Sequence, residues 1–130
     1  MNKRIIFVGS GPGDPLLISQ KGIFALNQAD IVLFDYLSHP NLLHHCKNDC
    51  IKICVGKKKG FHSKQQKEIN ELLLNCSKKY PLTVRLKGGD PSVFGRLGEE
   101  LQFCKNHNII YEVIPSISAG IAVPISAGIP

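Results

Sequence analysis

The chain has 130 residues, of which 43% are hydrophobic and 20% are charged. This composition is ordinary for a globular protein, and the length favours a single domain that buries its core without disulfides or metal ions. Sixteen Lys and Arg residues against ten Asp and Glu residues leave a net charge of +6. That charge favours an anionic partner such as a nucleic acid, a phosphate or a polycarboxylate.

We expect neither a secretory signal nor a membrane span. The apolar run in MNKRIIFVG is too short for a secretory signal and ends in glycine. The last 18 residues carry no charge, but the prolines and glycines among them indicate a segment of a folded domain. Five cysteines without a signal peptide are typical of free cytoplasmic thiols. Because no CxxC pair is present, we predict no metal site.

Five short runs rich in Ile and Val predict β-strands. In chain order they cover residues 4–9, 30–35, 50–56, 82–89 and 109–115. Helical patterns lie between them: residues 15–29 after Asp14 as N-cap, residues 40–47, a helix after a capping box of Ser63 and Gln66, and residues 94–104. Strands that alternate with helices predict an α/β fold with a five-stranded, mainly parallel sheet flanked by helices.

The loops that follow parallel strands all emerge at the carboxyl edge of the sheet. In this chain those loops read GSGPGDP, DYLSHP, GKKKGFHS, GGDPSVFGR and PSISAG. They contain nearly all the unusual residues of the sequence, so we predict that they converge around one crevice.

The first of these loops, GSGPGD at residues 9–14, differs from a dinucleotide-binding turn. A GxGxxG fingerprint presents free amides to a pyrophosphate, whereas here Asp14 stands at the third glycine and Pro12 has no amide N–H. An acidic side chain would also repel a pyrophosphate. The loop therefore favours a ligand without phosphate, and a plain strand-to-helix turn is the alternative.

The GGDP stretch at residues 88–91 has the same character. Gly88 and Gly89 allow the backbone to approach a compact or flat ligand closely. Asp90 is suited to accept hydrogen bonds from a cationic or hydroxylated ligand, or to cap a helix that begins at Pro91.

Charged side chains beside the strand ends are candidates for chemistry. Asp35 ends the second strand and is a candidate proton acceptor or a loop cap. Lys57 directly follows the third strand and either faces the crevice or belongs to a solvated turn. His62, Arg85 and Arg96 are candidates for carboxylate contacts or for surface charge. Arg85 lies in the middle of a strand, which predicts an acidic partner.

The segments VGSGPGDPLLISQKG, ADIVLFDYLS, VGKKKGFHSKQQKEIN, VRLKGGDPSVFGRLGEE and AGIP together resemble the tetrapyrrole methylase family. The resemblance extends over essentially all 130 residues, in order and with compatible spacing. The combination is specific, although each segment alone is not. GKKKGFHSKQQKEIN resembles the branch of the family that methylates uroporphyrinogen III.

The resemblance implies methyl transfer from S-adenosylmethionine to ring carbons of uroporphyrinogen III, which gives precorrin-2 for sirohaem or cobalamin. A substrate rich in carboxylates agrees with the basic composition, and a sulfonium donor without phosphate agrees with the proline-bearing first loop. Carried onto this sequence, the family's proposed proton acceptor is Asp35 and its proposed proton donor is Lys57, with no metal. The residues that the resemblance places around the donor are Pro12, Gly88, Gly89, Asp90, Val93, Ser118 and Ala119.

The resemblance also implies a cytoplasmic enzyme that is a homodimer at full length and binds neither nucleic acid nor membrane. Family members continue into a second α/β domain, so residues 1–130 are expected to be the N-terminal domain, with weak donor binding and little turnover alone. Three residues depart from the family pattern. Tyr36 replaces an arginine and weakens one carboxylate contact, Ser116 replaces a glycine and stiffens the loop beside the donor, and Leu97 replaces a glycine with little effect on a helix.

Two alternatives remain open. The first is a member of the same family that acts on a later corrin intermediate or on RNA. The second is a non-catalytic module that binds anions or nucleic acid. The net charge favours that module, but the lysines are not interleaved with aromatic residues and no recognition motif is present.

Overall fold

The computed structural model describes residues 3–35, 37–56, 65–90 and 96–129. The five predicted strands are β1 (Arg4–Gly9), β2 (Ile31–Phe34), β3 (Ile51–Cys54), β4 (Leu82–Lys87) and β5 (Ile110–Ile114). They form one sheet in the order β3-β2-β4-β1-β5, and every neighbouring pair is parallel. The prediction of a five-stranded parallel sheet flanked by helices is therefore confirmed.

The α-helices are α1 (Gln20–Gln28), α2 (Gln66–Lys79), α3 (Leu97–Asn106) and α4 (Ala119–Ser126). The prediction of one helix over residues 15–29 is wrong, because this stretch forms a 3-10 helix at Pro15–Leu17 followed by α1. Asp14 caps the 3-10 helix as predicted, by accepting the Leu16 N–H. Ser19 then has extended backbone and starts α1 by accepting the N–H of Gly22, so a second N-cap divides the segment.

Two other helix starts also differ from the sequence patterns. Residues Pro40–His45 form a 3-10 helix. At the start of α2 the capping box joins Gln65 to Glu68, with the Glu68 carboxylate accepting the Gln65 N–H at 3.4 Å. Ser63, which the sequence suggested as the cap, lies outside the described residues.

The sheet is buried on both faces, and its strands alternate between two apolar clusters. Ile6 and Val8 of β1 pack in the cluster beneath α1, whereas Ile5 and Phe7 pack in the cluster beneath α2 and α3. Strands covered on both faces are expected to be apolar throughout, which explains the uninterrupted Ile and Val runs. This two-faced burial leaves the ends of the sheet as the places where polar groups meet solvent.

Helix α4 packs differently from the other helices. It has no buried side chain, and Ile121, Val123 and Ile125 are exposed. Over the described part of the chain, no helix combines the length and the hydropathy that crossing a bilayer requires.

Candidate functional site

Two glycine-bearing loops join at the carboxyl edge of the sheet. Gly11, after β1, and Gly89, after β4, exchange backbone hydrogen bonds of 3.1 and 2.8 Å, and the pair forms an antiparallel bridge beyond the parallel ladder. To form this antiparallel bridge both residues adopt left-handed backbone, with φ of +83° at Gly11 and +64° at Gly89. Glycine adopts these angles without the steric cost of a Cβ atom, so both loops require it.

The joined loops line a cavity of about 550 Å³. Most of the residues predicted to surround a methyl donor lie here, and the remaining lining residues are small or apolar. The predicted members are Pro12, Gly88, Gly89, Asp90, Ser118 and Ala119, and the additional ones are Gly11, Gly13, Leu37 and Gly120. The structure thus brings together segments from four loops, as the convergence argument predicted, while the role of each residue stays a prediction.

Asp90 links two loops of the cavity. Its Oδ2 accepts the backbone N–H of Ser116, after β5, at 3.2 Å. The Ser116 hydroxyl in turn donates to the carbonyl oxygen of Leu17 at 3.2 Å. Helix α3 begins at Leu97 with Arg96 at its N-cap position, and the start of a helix at Pro91, which Asp90 was predicted to cap, lies outside the described residues. Ser116 ties the β5 loop to Asp90 and to the segment after β1 through these two hydrogen bonds.

The far wall of the cavity is the start of α4. Ser118 is the N-cap of this helix, and its hydroxyl oxygen accepts the N–H of Gly120 at 3.2 Å. Ala119 is the first helical residue. This wall offers little side-chain bulk, which suits a compact ligand lying against the backbone.

Asp35 follows β2 beside the cavity. Its Oδ1 accepts the N–H of Leu37 at 3.0 Å, and its carbonyl oxygen accepts the N–H of Ser38 at 3.2 Å. The loop-cap interpretation of Asp35 is therefore present in the structure. A carboxylate that accepts one hydrogen bond as a cap still has free acceptor sites on its oxygens, so the cap is compatible with the predicted role of Asp35 as proton acceptor.

Leu37 is a lining residue that sequence reasoning missed. Its side chain is 76% exposed and lies over Gly88: a Cβ added at Gly88 would be 2.4 Å from the Cβ of Leu37. Gly88 is therefore a glycine because the loop after β2 crosses it closely. An exposed leucine in a turn carries no sequence signal for this contact.

Several predicted residues cannot be placed. Lys57, His62 and Val93 lie outside the described residues, as does Tyr36. Arg96 is described and forms an exposed ion pair with Glu99 at 2.9 Å.

A buried cluster of charges lies below the carboxyl edge. Arg85, on β4, donates from Nε to the Glu100 carboxylate of α3 at 3.3 Å, so the predicted acidic partner is confirmed. Lys87 donates to the other oxygen of Glu100, and all three side chains are at most 6% exposed. Sequence reasoning missed Lys87 and Glu100. The available signal was a second cation two residues after Arg85, on the same face of a buried strand.

The environment changes the proton affinity of Lys87. Burial and the charge of Arg85 lower the pKa of Lys87 below its ordinary value, while the carboxylates of Glu100 and Asp35 oppose that lowering. Removing the ammonium from water is thus only partly compensated by its neighbours.

A second cleft, of about 620 Å³, lies at the amino edge of the sheet. Its polar groups satisfy one another: Lys47 pairs with Asp30 Oδ1 at 2.8 Å, and Asp30 Oδ2 accepts the Leu82 N–H at 2.9 Å. Burial raises the pKa of Asp30, but the hydrogen bonds from Lys47 and Leu82 and the Lys47 charge outweigh it, so the net shift is downward. The remaining residues around the cleft are Arg4, Gln28, Pro81 and Ile110.

The cysteines are free thiols. Burial raises the pKa of Cys46 to about 12 and that of Cys104 to about 11, so these thiols are protonated at neutral pH and poor metal ligands. Among the residues that the structure describes, no three His, Cys, Asp or Glu side chains are grouped to hold a metal ion.

Comparison with known proteins gives a consistent result. The sequence profile described as "Tetrapyrrole (Corrin/Porphyrin) Methylases" matches residues 4–130. A uroporphyrinogen-III C-methyltransferase of Methanocaldococcus jannaschii is 55% identical over 130 residues, a match that covers 100% of this chain and 54% of that protein. The chain therefore spans about half the length of this curated relative.

Solved structures show the same relationship. A uroporphyrin-III C-methyltransferase from Thermus thermophilus superimposes with a TM-score of 0.86 at 32% identity, covering 100% of this chain and 55% of that one. A second structure of that name, complexed with S-adenosylhomocysteine, superimposes with a TM-score of 0.80 at 40% identity, covering 98% and 52%.

Proposed function

This chain belongs to the tetrapyrrole methylase family, and from that premise we propose that it serves in S-adenosylmethionine-dependent C-methylation of uroporphyrinogen III to precorrin-2. In this proposal the carboxyl-edge cavity is its share of the methyl-donor site. The observation that carries the proposal is the reciprocal hydrogen bonding of Gly11 and Gly89. That contact gathers the residues expected around the donor at one cavity.

The chemistry of the cavity fits this donor. A sulfonium donor carries a positive charge and an amino-acid part but no phosphate. The glycines of the lining let a ligand lie close to the backbone, Asp90 supplies a carboxylate, and Pro12 has no N–H to offer to a phosphate. An acidic group beside an amide-poor loop disfavours a phosphate and tolerates a cation.

When bound, the donor would supply an electrophilic methyl group to a ring carbon. The chain's own contribution is alignment and proton removal. Asp35, whose carboxylate accepts the N–H of the lining residue Leu37, is the proposed acceptor for the ring proton. Lys57 is the proposed proton donor, and Val93 a further donor contact. Both belong to stretches outside the described residues.

The relatives' length bears on how much activity this chain can show. Since the chain covers 54% of the M. jannaschii protein, we assign residues 1–130 to the N-terminal domain and expect the rest of the donor site from a second domain. The cavity is bounded by one domain only, so we expect weak donor binding and little turnover from these 130 residues.

The proposal is tested by following backbone amide signals of the isotope-labelled chain during titration with S-adenosylhomocysteine. We expect signal changes at Gly11, Gly89, Ser118 and Ala119, and none at the amino-edge cleft around Asp30. ATP serves as the matched comparison, because it carries the adenosine part together with a triphosphate. Tighter binding of ATP than of S-adenosylhomocysteine, or signal changes confined to the amino edge, would contradict the proposal.

Substrate identity is tested separately, under anaerobic conditions, with methyl-labelled S-adenosylmethionine at high protein concentration. Label is expected in uroporphyrinogen III at a low rate, and mass spectrometry counts the added methyl groups. Label in RNA but not in the tetrapyrrole would instead identify a different member of the family.

A further inference from the structure

The buried cluster of Arg85, Lys87 and Glu100 contains two cations and one carboxylate. With all three groups ionised its net charge is +1, and an uncompensated charge is costly in the protein interior. Glu100 is already shared between both cations through its two oxygens. A second anion close to Lys87 would reduce this cost.

Asp35 is the candidate for that anion, because its carboxylate acts on the charge of Lys87. Strands β2 and β4 are parallel neighbours in which Leu33 pairs with Arg85 and Phe34 pairs with Leu86. Asp35 directly follows Phe34 and Lys87 directly follows Leu86, so the two residues lie side by side just past the last pair of this register. Because side chains alternate along a strand, Lys87 shares the face of Arg85, whose partner Leu33 packs in the cluster beneath α2 and α3. On the other side of Lys87 the register partner is Gly9, which has no side chain to stand between the ammonium and the carboxyl edge.

We propose that Lys87 is a positioning residue of the methyl-transfer site, whose buried ammonium, held by Glu100, attracts the Asp35 carboxylate from the neighbouring strand and orients it for its proposed role. This role rests on the proposed function for its catalytic meaning, but the pairing of the two residues does not. Asp35 is fixed from one side by the Leu37 N–H and receives its electrostatic partner from the neighbouring strand.

The charged groups that act on Lys87 come from three elements among the described residues. Arg85 acts from β4 itself, Glu100 from α3, and Asp35 from the loop after β2. The Asp35 carboxylate raises the pKa of Lys87 against burial and Arg85.

The test measures the titration midpoint of Lys87 by NMR, from the side-chain carbon next to the ammonium in lysine-labelled chain. The signal is assigned from its absence in Lys87→Arg, which keeps the buried charge. Asp35→Asn is expected to lower the midpoint by about 1 pH unit, the size typical of losing one nearby opposite charge. The asparagine still offers an oxygen to the Leu37 N–H, so the loop is retained.

Two further variants complete the design. Asp49→Asn removes an exposed carboxylate at the opposite edge and should leave the Lys87 midpoint unchanged. Asp35→Ser also keeps an oxygen acceptor for the turn and should repeat the effect of asparagine. An unchanged midpoint in both folded Asp35 variants overturns the proposal. No methyl donor or tetrapyrrole is present in this titration, so its outcome is independent of whether the proposed function holds.

Discussion

The two ends of the sheet carry clefts of similar size, about 550 Å³ at the carboxyl edge and about 620 Å³ at the amino edge. They differ in what lines them. At the amino edge the charged groups Asp30 and Lys47 bind each other and the backbone. At the carboxyl edge five of the lining residues are glycines, which leave backbone accessible to a ligand. The two clefts therefore differ in the chemistry of their linings rather than in volume.

The difference follows from chain direction. The chain leaves each strand at the carboxyl edge, and segments from four of the loops that follow line the cavity there. At the amino edge the chain enters the strands, and Asp30 serves there to hold the start of β4 through the Leu82 N–H. Substitutions at the two edges are therefore expected to differ in their effects on stability and on ligand binding.

The largest effect is expected below the carboxyl edge. Glu100→Ala leaves two buried cations without their shared carboxylate, so the free energy of unfolding should fall by about 3–5 kcal/mol, as measured by urea denaturation. Glu99→Ala is the matched control on the same helix. Its ion pair with Arg96 is exposed, and its loss should cost no more than about 1 kcal/mol. Equal effects of the two variants would remove the argument for a buried cluster.

The next change separates binding from stability. Gly88→Ala places a Cβ 2.4 Å from the Cβ of Leu37, so the wall of the cavity has to move. We expect affinity for S-adenosylhomocysteine, measured by calorimetry, to fall by about tenfold or more, which corresponds to about 1.4 kcal/mol. A second substitution, Leu37→Ala, should restore part of the loss. Gly98→Ala, which meets nothing within 4 Å, is the control, and a loss of affinity there would contradict the steric explanation.

The amino edge should show the opposite pattern, with stability affected and binding unaffected. Asp30→Ala removes the hydrogen bonds to Lys47 and to the Leu82 N–H, at a cost of about 1–2 kcal/mol in the free energy of unfolding. Affinity for S-adenosylhomocysteine should stay the same. Altered affinity in a folded Asp30 variant would show that the two ends are coupled.

The same residue predicts a pH dependence. The pKa of Asp30 is lower in the folded chain than its ordinary value of 3.8, so the unfolded state takes up a proton first as the pH falls. Its stabilising contribution is complete above about pH 4 and is lost as the pH falls through the lower, folded pKa. Urea denaturation at a series of acidic pH values should show the free energies of unfolding of the wild type and Asp30→Ala converging as the pH falls below the folded pKa of Asp30.

The smallest effect is expected from an exposed ion pair. Lys21, on α1, lies 2.9 Å from Glu112 on β5, and the two side chains are 69% and 38% exposed. Lys21→Met should change the free energy of unfolding by less than about 1 kcal/mol, because water and salt screen such pairs. A larger loss would mean that the position of α1 depends on this contact. Repeating the denaturation at high salt, which screens the ion pair, would then lower the stability of the wild type towards that of Lys21→Met.

The sequence by itself determined the five strands and the edge of the sheet at which the candidate site lies. Runs such as IIFV and IVLF are contiguous, so the neighbouring residues alone predict a strand. Because parallel strands share one direction, Pro12, Asp35 and Asp90, which follow strands, were then predicted to lie at the same edge. The predicted pairing of Arg85 with an acid also needed only its position inside a strand.

The tertiary structure decided the contacts between distant residues. The strand order, the crossing of Leu37 over Gly88, and the sharing of Glu100 by Arg85 and Lys87 each depend on how elements pack. Residues 13 or more positions apart leave no periodic signal, because their proximity is created by the fold. The division of residues 15–28 into two helices coincides with a second cap, Ser19, whose hydroxyl oxygen accepts the Gly22 N–H next to the buried Ile18.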